Sequence, residues 1–422
     1  MPTLTPTLIR HHFPALAETD DRGQPLIFFD GPGGSQVTQS VIDAMSDYLT
    51  RRNANTHSPF LTSQRTDETL AAAHLALADL FNAPSPDEII FGPNMTTLTF
   101  AFSRALARSW QPGDEVIVTR LDHDANIAPW LALQEQGIAI RWLDFDPADC
   151  TLRLDELDHL LGPRTRLVAV GGASNAVGTL NPIAAIVARA HAAGALVFVD
   201  AVHLAPHFPI DVQALGCDFL ACSAYKFYGP HIGILWGRYH LLDALPAYKV
   251  RPSHPHPPGK WMTGTQNHEG LAGTTAAVDY LAGLGDAFGQ DWAGQFPAFS
   301  GRRLSLKLGL SAIAAYERGL FAAMLDGLET IPGLTVYGLT ERKRLHERAP
   351  TAAVRLEGYT PAELSARLAQ HGIAAYAGHF YAVEVIQRLG LAEKGGVLRL
   401  GLSHYNTQAE IDRLLEILSD WA

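Results

Sequence analysis

The 422 residues predict an α/β fold, a mostly parallel sheet with helices on both faces, followed by a smaller α+β unit towards the C-terminus. Three observations carry this expectation. Short apolar runs suited to buried strands alternate with stretches of helical period between Glu88 and Gly237. Polar residues cluster just after those runs, at the edge where open α/β sheets bind ligands, while the runs themselves have no spare polar groups. The Pro/His-rich segment Arg251 to Lys260 (RPSHPHPPGK) then breaks the pattern, and the last hundred residues resume it on a smaller scale.

Length alone exceeds one small core and predicts two domains. The expected division is an arm at 1–25 packing with the small domain, a large domain at 26–275 and a small C-terminal domain at 276–422. A hydrophobic content of 47% with 18% charged residues fits a globular enzyme. The formal charge of −11 argues against nucleic acid or anionic membrane as a bulk partner. The start, MPTLTPTLIRHHFPAL, lacks the continuous apolar core of a secretory signal. Ile183 to Val199, the best membrane candidate, is interrupted by Arg189 and His191, so a cytoplasmic protein is expected. Cys150, Cys217 and Cys222 are too few for a disulfide scaffold and read as buried packing. The histidines are scattered, and neither His11-His12 nor His254-Pro-His256 has a third ligand at helical spacing, so no metal is expected.

Taken in order, the arm ends in the strand LIFFD and the turn Gly31-Pro32-Gly33-Gly34-Ser35, which either lets backbone approach a ligand or simply precedes the helix Gln39 to Arg51. A helix from Glu68 to Phe81 leads to the strand EIIF and then to Asn94-Met95-Thr96-Thr97. Asn and Thr at a helix start present free N–H groups, hydroxyls and a positive dipole end, which serve a phosphate or merely cap the helix. Strand and helix then alternate: EVIVT, a helix from Asn126 to Gln136, IAIRWL, a helix near Leu154 to Leu161, RLVAVG, a helix from Pro182 to Ala193, LVFVD, DFLACS and GILWG. Right-handed crossovers make such a sheet mostly parallel. After the Pro/His loop come a helix in MTGTQNHEGLAGTTAAVDYLAGLG, a long helix from Arg302 to Leu328, and strands (LTVYGL, AAVRLEG, GIAAYAG, VLRLGLS) alternating with helices (PAELSARLAQ, QAEIDRLLEIL).

The chemistry centres on Leu196 to Gly237. Asp200 ends one apolar run and Lys226 lies just past another, so both face the same sheet edge. They form a mere ion pair, or they are the amine and the carboxylate that pyridoxal 5′-phosphate (PLP) requires for its Schiff base and its ring nitrogen. The ordered motifs DHDAN, SNAVGTLNPI, VDAVHLAPHFPIDVQALGCDF, SAYKFYGPHIGILWG, GTQN and LRLGLSHYNT resemble the class V aminotransferase family of PLP enzymes, and within it the cysteine desulfurase-like subgroup. That resemblance implies the PLP-dependent transferase fold (fold type I) with a seven-stranded large-domain sheet. It implies Lys226 as the Schiff-base lysine, Asp200 at the ring nitrogen, His203 at the ring hydroxyl and His123 stacked on the ring. By the same resemblance Asn175 would contact cofactor and substrate, and Met95, Thr96, Ser223 and Tyr225 would hold the phosphate. It further implies a homodimer, with Thr265 lent across the interface to the neighbour's phosphate, and Arg399 forking onto the carboxylate of a small amino-acid substrate.

Desulfurases of the nearest type carry a mobile cysteine in R-T-G-H-H-C-A, matched here by Tyr376-Ala377-Gly378-His379-Phe380-Tyr381-Ala382. Gly378 and His379 persist, with His379 and Tyr376 on the substrate side, but Tyr381 stands at the cysteine and Tyr376 at the arginine. A phenol forms no persulfide. The expected activity is a C–S lyase or β-eliminating lyase without an enzyme persulfide. Racemisation or epimerisation with Tyr381 or Tyr376 as second acid, transamination, and a regulatory protein on the same fold stay open. The loop Arg251 to Lys260 is expected to border the active-site mouth or to serve only as a connector.

Overall fold

The computed structural model describes residues 3–422. Seven strands make the main sheet: β1 Ile89–Gly92, β2 Glu115–Thr119, β3 Ala139–Leu143, β4 Thr165–Gly171, β5 Leu196–Asp200, β6 Phe219–Ser223 and β7 Gly233–Gly237. Their order is β1-β7-β6-β5-β4-β2-β3. β7 is antiparallel to β1 and β6, whereas the β6–β5, β5–β4, β4–β2 and β2–β3 pairs are parallel. The expected fold class is what forms. β6 and β7 are fully buried runs, and β4 and β5 are buried but for Arg166 and Leu196, the signature of strands covered on both faces. Register aligns Gly171 with Asp200, Asp200 with Ala221, and Gly233 with both Ser223 and Gly92, so the ends of five strands meet at one edge. A Cβ at Gly233 would run into the Asn94 backbone. Its absence lets the turn after β1 lie over the sheet edge and aim the helix Met95–Ala107 there.

Most elements lie where the sequence puts them, with three differences. The helix ending at Phe81 begins at Leu61, a turn and more before Glu68, because its polar opening LTSQRT has no apolar stripe to announce it. The helix expected over Asn126 to Gln136 is instead three short pieces, Asp124–Asn126, Ala128–Leu131 and Ala132–Gln136, since Pro129 fits only a first turn. The helix after the Pro/His loop runs from His268 to Phe288, straight through a boundary at 275/276. The loop itself packs on the helix Tyr239–Ala244: His256 Nδ1 meets Asp243 at 2.8 Å and Trp261 Nε1 donates to Leu242 O at 3.0 Å.

The C-terminal sheet is antiparallel, with β8 Leu334–Tyr337, β9 Thr351–Leu356, β10 Tyr376–Gly378 and β11 Val397–Gly401 in the order β8-β9-β11-β10. The change from one core to the other occurs within the 28-residue helix Gly301–Leu328. Leu306, Leu310 and Ile313 belong to the large-domain core, whereas Phe321, Met324 and Leu328 pack with β9, β11 and the helix Gln408–Ser419. The helix Gly301–Leu328 is apolar and long enough to cross a membrane, but its apolar side chains fill these two cores. The N-terminal residues touch elements on both sides of the long helix. Phe13 packs edge-on to Tyr228, Tyr280 and Tyr405, and Arg10 reaches Glu410 at 2.7 Å. Ile27–Phe28 pairs in parallel with Ile373–Ala374, adding a further tie.

Candidate active site

A cleft with about 610 Å³ of empty space opens at the carboxyl ends of the parallel strands. Its lining includes Met95, Thr96, His123, Asn175, Asp200, His203, Ser223, Tyr225 and Lys226, so nine of the expected residues, far apart in sequence, converge. Lys226 follows β6 on a 3-10 turn and is buried; its Nζ donates to the Pro32 carbonyl and lies 4.9 Å from the Tyr225 ring centroid. The turn Gly31–Gly33 thus approaches the site by its backbone. Burial, reinforced by the nearby Arg399 charge, lowers the Lys226 pKa to about 7.

Asp200, buried at the end of β5, accepts from Val202 N at 2.8 Å, and burial raises its pKa to about 6 against the pull of Lys226. Near it lies Asp122, which sequence reading named only as part of the polar cluster after EVIVT. It accepts from Thr119 Oγ1 and Asn126 Nδ2 at 2.8 Å each and from Gly171 N at 2.9 Å, and burial pushes it up to about 7. It ties the turn bearing His123 to the end of β4. His123 Nδ1 accepts from Ala125 N at 2.9 Å, and burial followed by the Lys226 charge lowers its pKa to about 4, so the ring is neutral near pH 7. His203 is fully enclosed, bonded through Nε2 to Thr351 Oγ1 at 3.0 Å, and held neutral by burial and the neighbouring His207.

Arg399 enters from β11. It donates to the Asn175 carbonyl at 3.0 Å, and its buried Nε has no partner. Asp30, another residue the sequence did not single out, is half-buried beside Arg399 and Lys226, with its Oδ1 enclosed and unpartnered and a pKa raised by burial to about 6. At the helix start, Met95 N donates to Ser223 Oγ at 3.2 Å and Asn94 caps through Thr97 N at 2.8 Å.

The 376–382 segment lies beside the cleft, and none of its residues is among those that line it. Tyr381 is 66% exposed, yet its ring stacks on His123 with centroids 5.3 Å apart, and its carbonyl accepts from Asp124 N at 2.7 Å. Tyr376 is exposed and lies against Gly33, while His379 accepts from Tyr381 N at 3.0 Å. Thr265 lies outside the cleft, in a separate groove with Pro93, Thr97 and His231. The cysteines are buried and none lines the cleft.

Fold and cleft together define an α/β enzyme with an amine and a carboxylate gathered at one strand edge and a guanidinium brought near them from the C-terminal sheet. The chain belongs to the class V aminotransferase family, whose model it matches over residues 27–297 and 300–414. It is 35% identical to a probable cysteine desulfurase of Mycolicibacterium paratuberculosis, covering 96% of this chain and 57% of that protein. With a cysteine desulfurase of Serratia proteamaculans it shares 33% identity over 96% of both chains. The solved cysteine desulfurase CsdA of Escherichia coli, in an S-sulfonic acid form, superposes with a TM-score of 0.82 at 28% identity, covering 99% of this chain and 98% of that one. An apo cysteine desulfurase structure from Thermococcus onnurineus shares the fold, with a TM-score of 0.85 at 24% identity over 100% and 98% of the two chains. Enzymes of this family depend on PLP, and the chain is a PLP-dependent enzyme of the desulfurase-like kind.

Proposed function

We propose that the enzyme is a C–S lyase that eliminates the β-sulfur substituent of a cysteine-type amino acid without an enzyme persulfide. The observation that carries the reading is the convergence of Lys226, Asp200, His123 and Asn175 on one cleft from which every cysteine is absent. The residues present suit PLP. A buried amine with a pKa near 7 offers a nucleophile at neutral pH. Asp200 supplies the buried carboxylate for the ring nitrogen, and Met95 and Thr96 at a helix N-terminus, with Ser223 and Tyr225, suit the phosphate. When bound, PLP withdraws electrons from the substrate α-carbon and so makes its proton removable.

The protein's own groups account for the rest. Arg399, with an unpartnered buried N–H, binds the substrate carboxylate, and that anchor fixes which α-bond is presented for cleavage. Lys226 takes the α-proton. The C–S bond then breaks with its electron pair on sulfur, and neutral His123 and the Tyr381 phenol lie close enough together to pass a proton to the departing thiolate. The released enamine hydrolyses to pyruvate and ammonia.

The reading includes a homodimer, supported by the position of Thr265 outside its own chain's cleft, and a reducing cytoplasm, which suits three free cysteines. A panel of D- and L-amino acids and S-substituted cysteines tests it, with pyruvate, enantiomer exchange and the amine form of the cofactor followed together. Pyruvate from S-substituted L-cysteines is expected, together with a visible band that borohydride bleaches and that Lys226→Ala lacks. Inversion without pyruvate would overturn the lyase assignment.

A further inference from the structure

Resting on the amino-acid reading above, the geometry points to Phe380 as the positioning residue of the carboxylate clamp. Its ring packs on the Arg399 guanidinium, whose central carbon is 4.1 Å from the ring centroid. A stacked ring takes no donor from a guanidinium; it fixes the plane in which the donors point. One donor is used on the Asn175 carbonyl at 3.0 Å, and Nε stays buried without a partner. Phe380 also holds Asn175 from the other side, since its carbonyl accepts from Asn175 Nδ2 at 2.9 Å and leaves Asn175 Oδ1 buried and unpartnered. An orphaned donor and an orphaned acceptor are therefore both oriented through one residue. An α-amino acid offers the complement: a carboxylate for the first and an N–H for the second.

The backbone at this position strengthens the inference. Phe380 has φ 53° and Tyr381 φ 58°, a region that suits glycine and is strained for aromatic residues. Three hydrogen bonds hold the strained pair: Asn175 Nδ2 to Phe380 O, Asp124 N to Tyr381 O, and Tyr381 N to His379 Nδ1. Glycine would relieve the strain at no cost to these backbone bonds, so what the phenylalanine adds is its ring.

Phe380→Gly keeps the backbone conformation and deletes that ring, while Phe380→Trp keeps an aromatic face. Propionate, a carboxylate that cannot react, is titrated calorimetrically into the purified, cofactor-loaded protein. S-methyl-L-cysteine and its carboxylate-free amine, 2-(methylthio)ethylamine, are titrated by absorbance. Phe380→Gly is expected to weaken propionate and S-methylcysteine about tenfold and to leave the amine unchanged, with Phe380→Trp recovering most of the loss. Equal propionate affinity in wild type and Phe380→Gly, no propionate binding to either, or an equal loss for the amine would each overturn the proposal. Propionate binding needs no turnover, so it stays readable if the reaction is not elimination. Failure of the underlying PLP reading shows separately, as the absence of a Lys226-dependent band.

Discussion

Two buried residues tie the chemistry and the stability of this protein to pH in ways that titration can follow. Lys226, with its pKa lowered to about 7 by burial and by Arg399, is half amine at neutral pH, whereas an ordinary lysine is almost wholly protonated. Capture of PLP by cofactor-stripped protein, followed by absorbance, should therefore accelerate between pH 6 and 8 and level off above; a rate still climbing at pH 9.5 would contradict this. His404 lies between Tyr228 Oη at 2.9 Å and Tyr280 Oη at 2.7 Å, and burial pushes its pKa down to about 3. An unfolded histidine protonates near 6.5, so between pH 6.5 and 3 the unfolded chain binds the extra proton. The stability this neutral ring contributes is complete above pH 6.5 and is lost on acidification. The gap in unfolding free energy between wild type and His404→Asn should narrow by about 1.4 kcal/mol per pH unit below about pH 6. Denaturant titrations with parallel pH slopes would rule that out.

Among the elements, the helices His268–Phe288 and Gly301–Leu328 touch backbone to backbone. A Cβ at Gly285 would strike the Ser305 carbonyl, and one at Gly309 the Leu281 carbonyl. Gly309→Ala should cost about 2 kcal/mol, since neither backbone can yield without separating the helices, and should lower Tm by several degrees. An unchanged melting curve would mean that the helices are not held so closely. Elements of this kind were legible to different degrees. Runs such as LVFVD and GILWG announce themselves because buried strands need continuous apolar residues. The break at Pro129 and the early start at Leu61 did not, since a polar first turn carries no stripe and a short proline-led helix mimics a continuous one. Lys226, Asp200 and His123 were found because each lies at or just past the end of a strand. Phe380 and Asp30 were not singled out, and Asp122 was named only within its polar cluster, because their meaning lies in a positive φ or in contacts made by folding, such as Asn175 to Phe380 across 205 residues.

At the scale of the whole molecule, the cleft lies at the edge of the main sheet, and Arg399 to Asn175 and His203 to Thr351 tie the C-terminal sheet to it, while Arg10 to Glu410 ties the arm to the last helix. The thiols stand apart from the cleft, with Cys150 and Cys217 pushed up by burial to about 12 and Cys222 likewise raised. A chain with Cys150, Cys217 and Cys222 all replaced by alanine should release pyruvate at close to the wild-type rate, with any loss confined to stability. A collapse of turnover in a variant that remains folded would restore a sulfur-carrying role to one of them. The helix Gly301–Leu328 adds a constraint on how such a protein can be divided. Its first half is greased for one core and its second for the other, so a cut on either side leaves an apolar shaft in water. Neither lobe is a module that can be lifted out and grown alone, and insertions or fusions belong at the chain's exposed loops rather than at the border between the lobes.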